Sequence, residues 1–72
     1  MDLNTIKANL ENTIAGKELY LSVLYKEHIN AGINDSHNVF VYSTMISIVE
    51  NNLIELSAIL KDVDLVLAEN KG

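Results

Sequence analysis

The two histidines, His28 and His37, are the residues of this sequence with the most distinctive chemistry. Two imidazoles with nearby carboxylates, here Glu27 and Asp35, could bind a metal such as zinc. Zinc sites in proteins have short ligand spacings, such as His-x3-His or Cys-x2-Cys, and the sequence contains neither. The sequence therefore predicts no metal site. It favours a partly buried His28 with a backbone hydrogen bond and a solvated His37.

Carboxylates and nucleophiles also lack the patterns that would make them reactive. Di-iron sites in helical bundles use Glu-x-x-His, which places both ligands on one helix face, and this motif does not occur. There is no cysteine, the serines lack a G-x-S-x-G context, and there is no glycine-rich phosphate loop. We therefore expect no catalytic residue, no cofactor and no enzymatic activity. Six glutamates lie mostly outside the apolar stripes and indicate a solvated face: Glu11, Glu18, Glu27, Glu50, Glu55 and Glu69.

Charge and hydropathy restrict the partners that the chain can have. Ten acidic residues, five lysines and no arginine give 72 residues a net charge of −5, which argues against nucleic acid and anionic membranes as partners. The longest uncharged run, from Asn38 to Val49, has 12 residues, whereas a membrane-spanning helix needs about 20 predominantly apolar residues. The N-terminal residues lack a basic start followed by an apolar run. These features predict no membrane association and a cytoplasmic location.

The stretch NAGINDS, residues 30–36, divides the chain into two long segments. Gly32 suits a left-handed position just past a helix end, and Ile33 could supply the hydrophobic contact of such a cap. Asp2 is a candidate N-cap for the first segment. Three residues are candidate N-caps for the second segment: Asn34, Asp35 and Ser36. We expect a single all-α domain over residues 1–72, an antiparallel hairpin with helix 1 at about 2–31, a turn at about 32–35 and helix 2 at about 36–69.

Each segment carries apolar residues at helical spacing. Lys7 and Glu11 are expected to pair on a side of helix 1 away from its stripe. Residues 38–43, NVFVYS, could pass for a β-strand, but the apolar pattern continues through them with a helical period, which predicts helix. The stripe of helix 1 comprises Leu3, Ile6, Leu10, Ile14, Leu21, Leu24 and Tyr25. The a/d series of helix 2 comprises Tyr42, Ile46, Val49, Leu53, Leu56, Leu60, Val63 and Leu67, and a second line beside it comprises Val41, Met45, Ile48, Asn52, Ile59 and Val66.

Both helices have more apolar surface than one partner helix can cover, and a helix that is apolar on several sides is buried on several sides. The sequence therefore predicts a homodimer that forms a four-helix bundle, although a different protein could cover the same surface. Asn52 could fix the register of such a bundle or simply be exposed. Gly16 is either a tolerated weak point or a place where another backbone approaches closely. The expected interface residues are Leu19, Tyr20, Val23, Phe40, Val41, Met45, Ile48, Asn52, Ile59 and Val66.

These features predict a small acidic module for protein–protein interaction, such as an adaptor, an inhibitor or an assembly factor. Its acidic surface would favour a basic protein surface as a partner. Two alternatives remain open. One is a nucleic-acid-binding dimeric hairpin, because the expected architecture resembles the small RNA-binding four-helix-bundle dimers of plasmid copy control in fold alone. The other is a bundle that binds a small molecule or a metal in its core.

Overall fold

The structure, a computed structural model, describes residues 2–32 and 35–70. Over these residues the chain forms two α-helices, α1 (Leu3–Ala31) and α2 (Ser36–Asn70), which run antiparallel. The prediction of an all-α two-helix hairpin is thus confirmed. The hairpin is long and narrow, with Cα extents of 57 by 16 by 15 Å. The predicted roles of Ile33 and Asn34 in the turn lie outside the described residues.

Helix-capping residues explain where both helices begin. The Asp2 carboxylate accepts a hydrogen bond from the Thr5 backbone N–H at 2.7 Å, which satisfies one of the donors that a helix start leaves unpaired. This hydrogen bond lowers the pKa of Asp2. At the start of α2, the Asp35 carboxylate accepts hydrogen bonds from the backbone N–H and the side-chain amide of Asn38, at 3.3 and 2.5 Å. Asp35 is therefore the cap among the candidate residues that the structure describes.

Gly32 ends α1 in a conformation that differs from the predicted one. Its N–H donates to the His28 carbonyl at 3.3 Å, and its φ of 53° is positive as expected. Its ψ of −148° lies far from the left-handed helical value. This combination is close to a region that glycine alone adopts at low cost, so the residue type fits the position for a different reason.

The interhelical seam follows a step of three or four residues along both helices. In α2 all eight residues of the predicted a/d series are buried or half-buried, and the stretch 38–43 is helical. In α1 the inner positions include His28, which was expected to be partly buried, and Lys17, which lies in line with the predicted stripe. They also include Lys7, which was expected on another side of the helix, whereas Tyr25, assigned to the stripe, is exposed. The best-buried residues, Leu24, Ile46 and Val49, form a small cluster in the half of the hairpin nearer the turn. Four partly buried residues pack against this cluster: Leu21, Tyr42, Met45 and Leu53.

Candidate protein-interaction surface

Among the described residues, the core of the hairpin consists of three buried hydrophobic side chains. A much larger amount of apolar surface is exposed to solvent. Exposed apolar patches of a few hundred Å² or more on a folded protein usually mark an interaction site. The exposed large hydrophobic residues are Leu19, Tyr20, Val23, Tyr25, Ile29, Phe40, Ile48, Ile54, Ile59, Leu65 and Val66.

One broad face of the hairpin carries polar contacts between the helices. The Tyr25 hydroxyl donates a hydrogen bond to the Glu50 carboxylate, and the Lys7 ammonium pairs with the Asp64 carboxylate at 2.7 Å. The expected pairing of Lys7 with Glu11 is thus replaced by a pairing across the seam. We call the surface around these two contacts the polar face.

Both contacts affect the ionisation of the groups that donate. The hydrogen bond to Glu50 raises the pKa of Tyr25, with smaller contributions from partial burial and from the charge of Glu50. The hydrogen bond to Asp64 raises the pKa of Lys7, and the charge of Asp64 adds to this effect. The Lys7 and Asp64 side chains are 36% and 48% exposed, so solvent screens their contact and it contributes little to stability. The two contacts show which residues of the two helices lie at the same level.

The same contacts identify what lies on the opposite broad face. Leu24 and Val49 are both buried in the seam. Tyr25 and Glu50 follow these two residues and meet on the polar face. Residues Val23 and Ile48 precede them and are rotated about 100° the other way around each helix, so both lie on the opposite face. They are 49% and 56% exposed.

This opposite surface, which we call the apolar face, contains most of the predicted interface. In α2 the exposed positions Ile48, Ile59 and Val66 are 11 and 7 residues apart, spacings that return to one side of a helix. This side of α2 is interrupted by polar residues at Asn52, which is half-buried, and at Glu55 and Asp62, which are exposed. The apolar face comprises Tyr20 and Val23 of α1 together with Val41, Met45, Ile48, Asn52, Ile59 and Val66 of α2.

Two residues of the predicted interface lie elsewhere. Phe40 is 71% exposed and, nine positions before the buried Val49, points away from α1. Leu19, five positions before the buried Leu24, lies on the outer side of α1. The structure therefore brings eight of the ten predicted residues onto one surface and leaves these two outside it. Three further exposed apolar residues, Ile29, Ile54 and Leu65, were not predicted and also lie away from the apolar face.

Gly16 belongs beside this surface. It lies four residues before Tyr20 and seven before Val23, so the three share one side of α1. A Cβ atom added at Gly16 would meet nothing within 4 Å. No close approach of a backbone is therefore found at Gly16 within the described chain, and the space beside this residue is open.

The candidate reactive residues are dispersed. His28 is half-buried on the inner side of α1, and His37 is exposed in the first turn of α2. Across residues 2–32 and 35–70, no three histidine or carboxylate side chains are grouped so that they could hold a metal ion. The lysines within these ranges do not form a cluster either: Lys7 pairs with Asp64, Lys17 is half-buried in the seam, and Lys26 and Lys61 are exposed on different helices.

Two further results concern the described helices and the sequence as a whole. Neither α1 nor α2, over the described residues, contains a segment with the length and hydropathy needed to cross a membrane. The sequence matches no family model, and no curated protein and no solved structure is significantly similar to the chain.

Proposed function

We propose that this protein is a small acidic helical module for protein–protein interaction that acts as a homodimer and has no catalytic activity. The observation that carries the proposal is the distribution of apolar side chains. Among the described residues, three are buried between the helices, whereas five apolar residues along one side of α2 are half-exposed or exposed: Val41, Met45, Ile48, Ile59 and Val66.

The small size of the core supports association as the source of stability. Chains of fewer than about 70–80 residues rarely reach adequate stability from a single core, and natural examples add disulfides, a metal or oligomerisation. The chain has no cysteine with which to form a disulfide. Burial of the apolar face against a second copy would complete a four-helix bundle and remove this surface from water.

The polar face would then remain available for a different protein. In addition to Glu50 and Asp64, which bond to α1, it carries the exposed carboxylates of Glu11 and Glu18. Together with the net charge of −5, these groups favour a partner with a basic surface, because complementary charge increases the rate of encounter and disfavours acidic partners. Adaptor, inhibitor and assembly factor are the roles that fit such a dimer, and a cytoplasmic location belongs to the same proposal.

Molar mass in solution tests the proposal directly. We expect light scattering on a size-exclusion column to give twice the chain mass of 8.0 kDa, with monomer appearing only on dilution. A folded protein that remains monomeric at every concentration would overturn the proposal. Circular dichroism on the same samples is needed to show that the chain is helical when its mass is measured.

A second experiment tests the polar face. Proteins retained from a lysate by the immobilised chain would be compared with those retained by a variant that carries both Glu11→Lys and Glu18→Lys. We expect specific partners to be lost from the variant and to dissociate as salt screens the charges. Partners that bind both forms equally at high salt would refute a role for the acidic surface.

A further inference from the structure

The residues on the apolar-face side of α2 are spaced symmetrically, because the steps between them are the same counted from either end of the helix. Its heptad series runs Val41, Met45, Ile48, Asn52, Glu55, Ile59, Asp62 and Val66, in steps of four and three. We propose that two copies of the chain pack through the apolar face with their α2 helices antiparallel and their turns at opposite ends. This inference rests on the proposed homodimer and adds its geometry.

Antiparallel packing about the middle of this series pairs valine with valine and isoleucine with isoleucine, and it also sets Met45 against the partner's Asp62. We place the two-fold axis level with the peptide bond between Leu53 and Ile54. Each residue of α2 then faces the partner residue for which the two residue numbers sum to 107. Val41 then faces the partner's Val66, and Ile48 faces the partner's Ile59. An isologous interface has this property, because each contact occurs twice by symmetry.

Two of the three polar residues of the series, Asn52 and Glu55, find polar partners in this arrangement, whereas Asp62 does not. Asn52 is half-buried and Glu55 is exposed, and the symmetry sets Asn52 against the partner's Glu55. The side-chain amide of Asn52 can donate to that carboxylate, and hydrogen bonds to charged groups are the stronger ones. The pair would occur twice, once on either side of the two-fold axis. It would stabilise this register of the two α2 helices relative to registers shifted along the helix.

The position of the axis allows the two hairpins to overlap along their whole length. Residues 53 and 54 lie at the middle of α2, which spans Ser36–Asn70. A face 57 Å long and 16 Å wide has an area on the order of 900 Å², and a stable interface of standard size covers about 800 Å² on each partner. The face is thus large enough for a stable dimer of this chain.

Helix α1 is consistent with the same axis. In the two contacts between the helices, Lys7–Asp64 and Tyr25–Glu50, the residue numbers add to 71 and 75. The middle of α2 is therefore level with residues 18–21 of α1. Tyr20 lies within this range, so the axis passes close to Tyr20. The open space at Gly16, one helical turn away, leaves room beside this part of α1 for the partner's α1.

Two other two-fold arrangements fit less well. If the α2 helices packed in parallel, Glu55 would face the partner's Glu55 and Asp62 the partner's Asp62, and like charges in contact are unfavourable. If the turns lay at the same end, α2 would pack on the partner's α1. Ile59 and Val66 would then pack against the part of the partner's α1 that carries Thr5, Asn9 and Thr13, which are polar.

Single-cysteine variants can distinguish these arrangements, since the chain contains no cysteine of its own. A short bis-maleimide would be added to Val41→Cys, to Val66→Cys and to an equimolar mixture of the two. We expect covalent dimers only in the mixture, because each cysteine lies about 37 Å along the helix axis from its own symmetry mate. Ser47→Cys, on the outer side of α2, is the control and should form no cross-link with Val66→Cys.

The outcomes separate this inference from the proposed homodimer. Cross-linking of Val41→Cys with itself would show parallel α2 helices and overturn the geometry while leaving the dimer intact. Absence of cross-links in a protein that light scattering shows to be dimeric would also overturn the geometry. A monomer by light scattering would overturn both proposals.

Charge substitutions at Asn52 give an independent test. In the antiparallel dimer, Asn52→Lys would face the partner's Glu55 and tighten the dimer, and Asn52→Asp would weaken it, by about three- to tenfold each. In a parallel dimer both variants would weaken association, because like charges would meet at position 52. Asn51→Lys, on an exposed neighbouring position, changes the net charge equally and corrects for the general effect of charge. The geometry is refuted if Asn52→Lys binds no more tightly than Asn51→Lys.

Discussion

Two isoleucines of α2 provide a matched test of which surface of the hairpin associates. Ile48 lies on the apolar face and is 56% exposed, whereas Ile54 lies on another side of the same helix and is 68% exposed. Complete burial of an isoleucine side chain contributes about 1.5–3 kcal/mol, and about half of the Ile48 side chain remains to be buried. We therefore expect Ile48→Ala to remove about 1 kcal/mol per copy, which is about 2 kcal/mol per dimer and a 30-fold weaker association.

Ile54→Ala should leave the dissociation constant unchanged. Both substitutions replace isoleucine by alanine in the same helix, so their effects on helix propensity are similar and cancel in the comparison. Sedimentation equilibrium over a dilution series measures the dissociation constant of each variant. If Ile54→Ala weakened the dimer as much as Ile48→Ala, or if neither had an effect, the assignment of the apolar face as the interface would be wrong.

Three further predictions concern the stability of the hairpin itself. Leu24→Ala, at a residue only 3% exposed, should cost at least about 2 kcal/mol by urea denaturation, because the cavity lies in a core of three residues; an unchanged midpoint would contradict this. Gly16→Ala should stabilise the helical fold by up to about 1 kcal/mol, since the added methyl meets open space. Gly32→Ala should destabilise the fold, because the φ of Gly32 is 53°. Equal effects of the two substitutions on the urea midpoint would refute the distinction. The lowered pKa of Asp2 predicts that its cap stabilises α1 above the ordinary aspartate pKa and that this contribution is lost as pH falls through the lowered value. A pH titration of helicity should show this loss, and Asp2→Ala should lack it.

The regularity of α2 explains why its inner side could be predicted from the sequence. Its a/d positions are all apolar, so a count of steps along the chain identifies the buried stripe. In α1 the same step passes through Lys7, Lys17 and His28. Long side chains can cover a seam with their aliphatic parts while their charged ends reach water. The step along the chain therefore identified Lys17 and His28 as inner positions, whereas Lys7 was assigned to another side of α1 and Tyr25 to the stripe.

In the candidate interface, the residues predicted from the helical period lie together on the apolar face, whereas those predicted only from residue size and hydrophobicity lie outside it. Residues beside the a/d series of α2 were identified because their angular position follows from the series. Phe40 and Leu19 were included because they are large and apolar, although the helical period rotates Phe40 by half a turn from Val49. The contacts Tyr25–Glu50 and Lys7–Asp64 were not predicted. They depend on the level at which the two helices meet, and the sequence alone does not specify this level.

The contacts of the polar face bear on the proposed dimer through the level at which the two helices meet. They contribute little free energy, but they show that the middle of α2 is level with residues 18–21 of α1. In the proposed dimer one two-fold axis must therefore pass through the middle of the α2 series and near Tyr20. A slip of one helical turn between α1 and α2, about 5.4 Å, would move Tyr20 away from this axis while the α2 helices still matched. The proposed geometry thus depends on the relative level of α1 and α2 as well as on the residues of the α2 series.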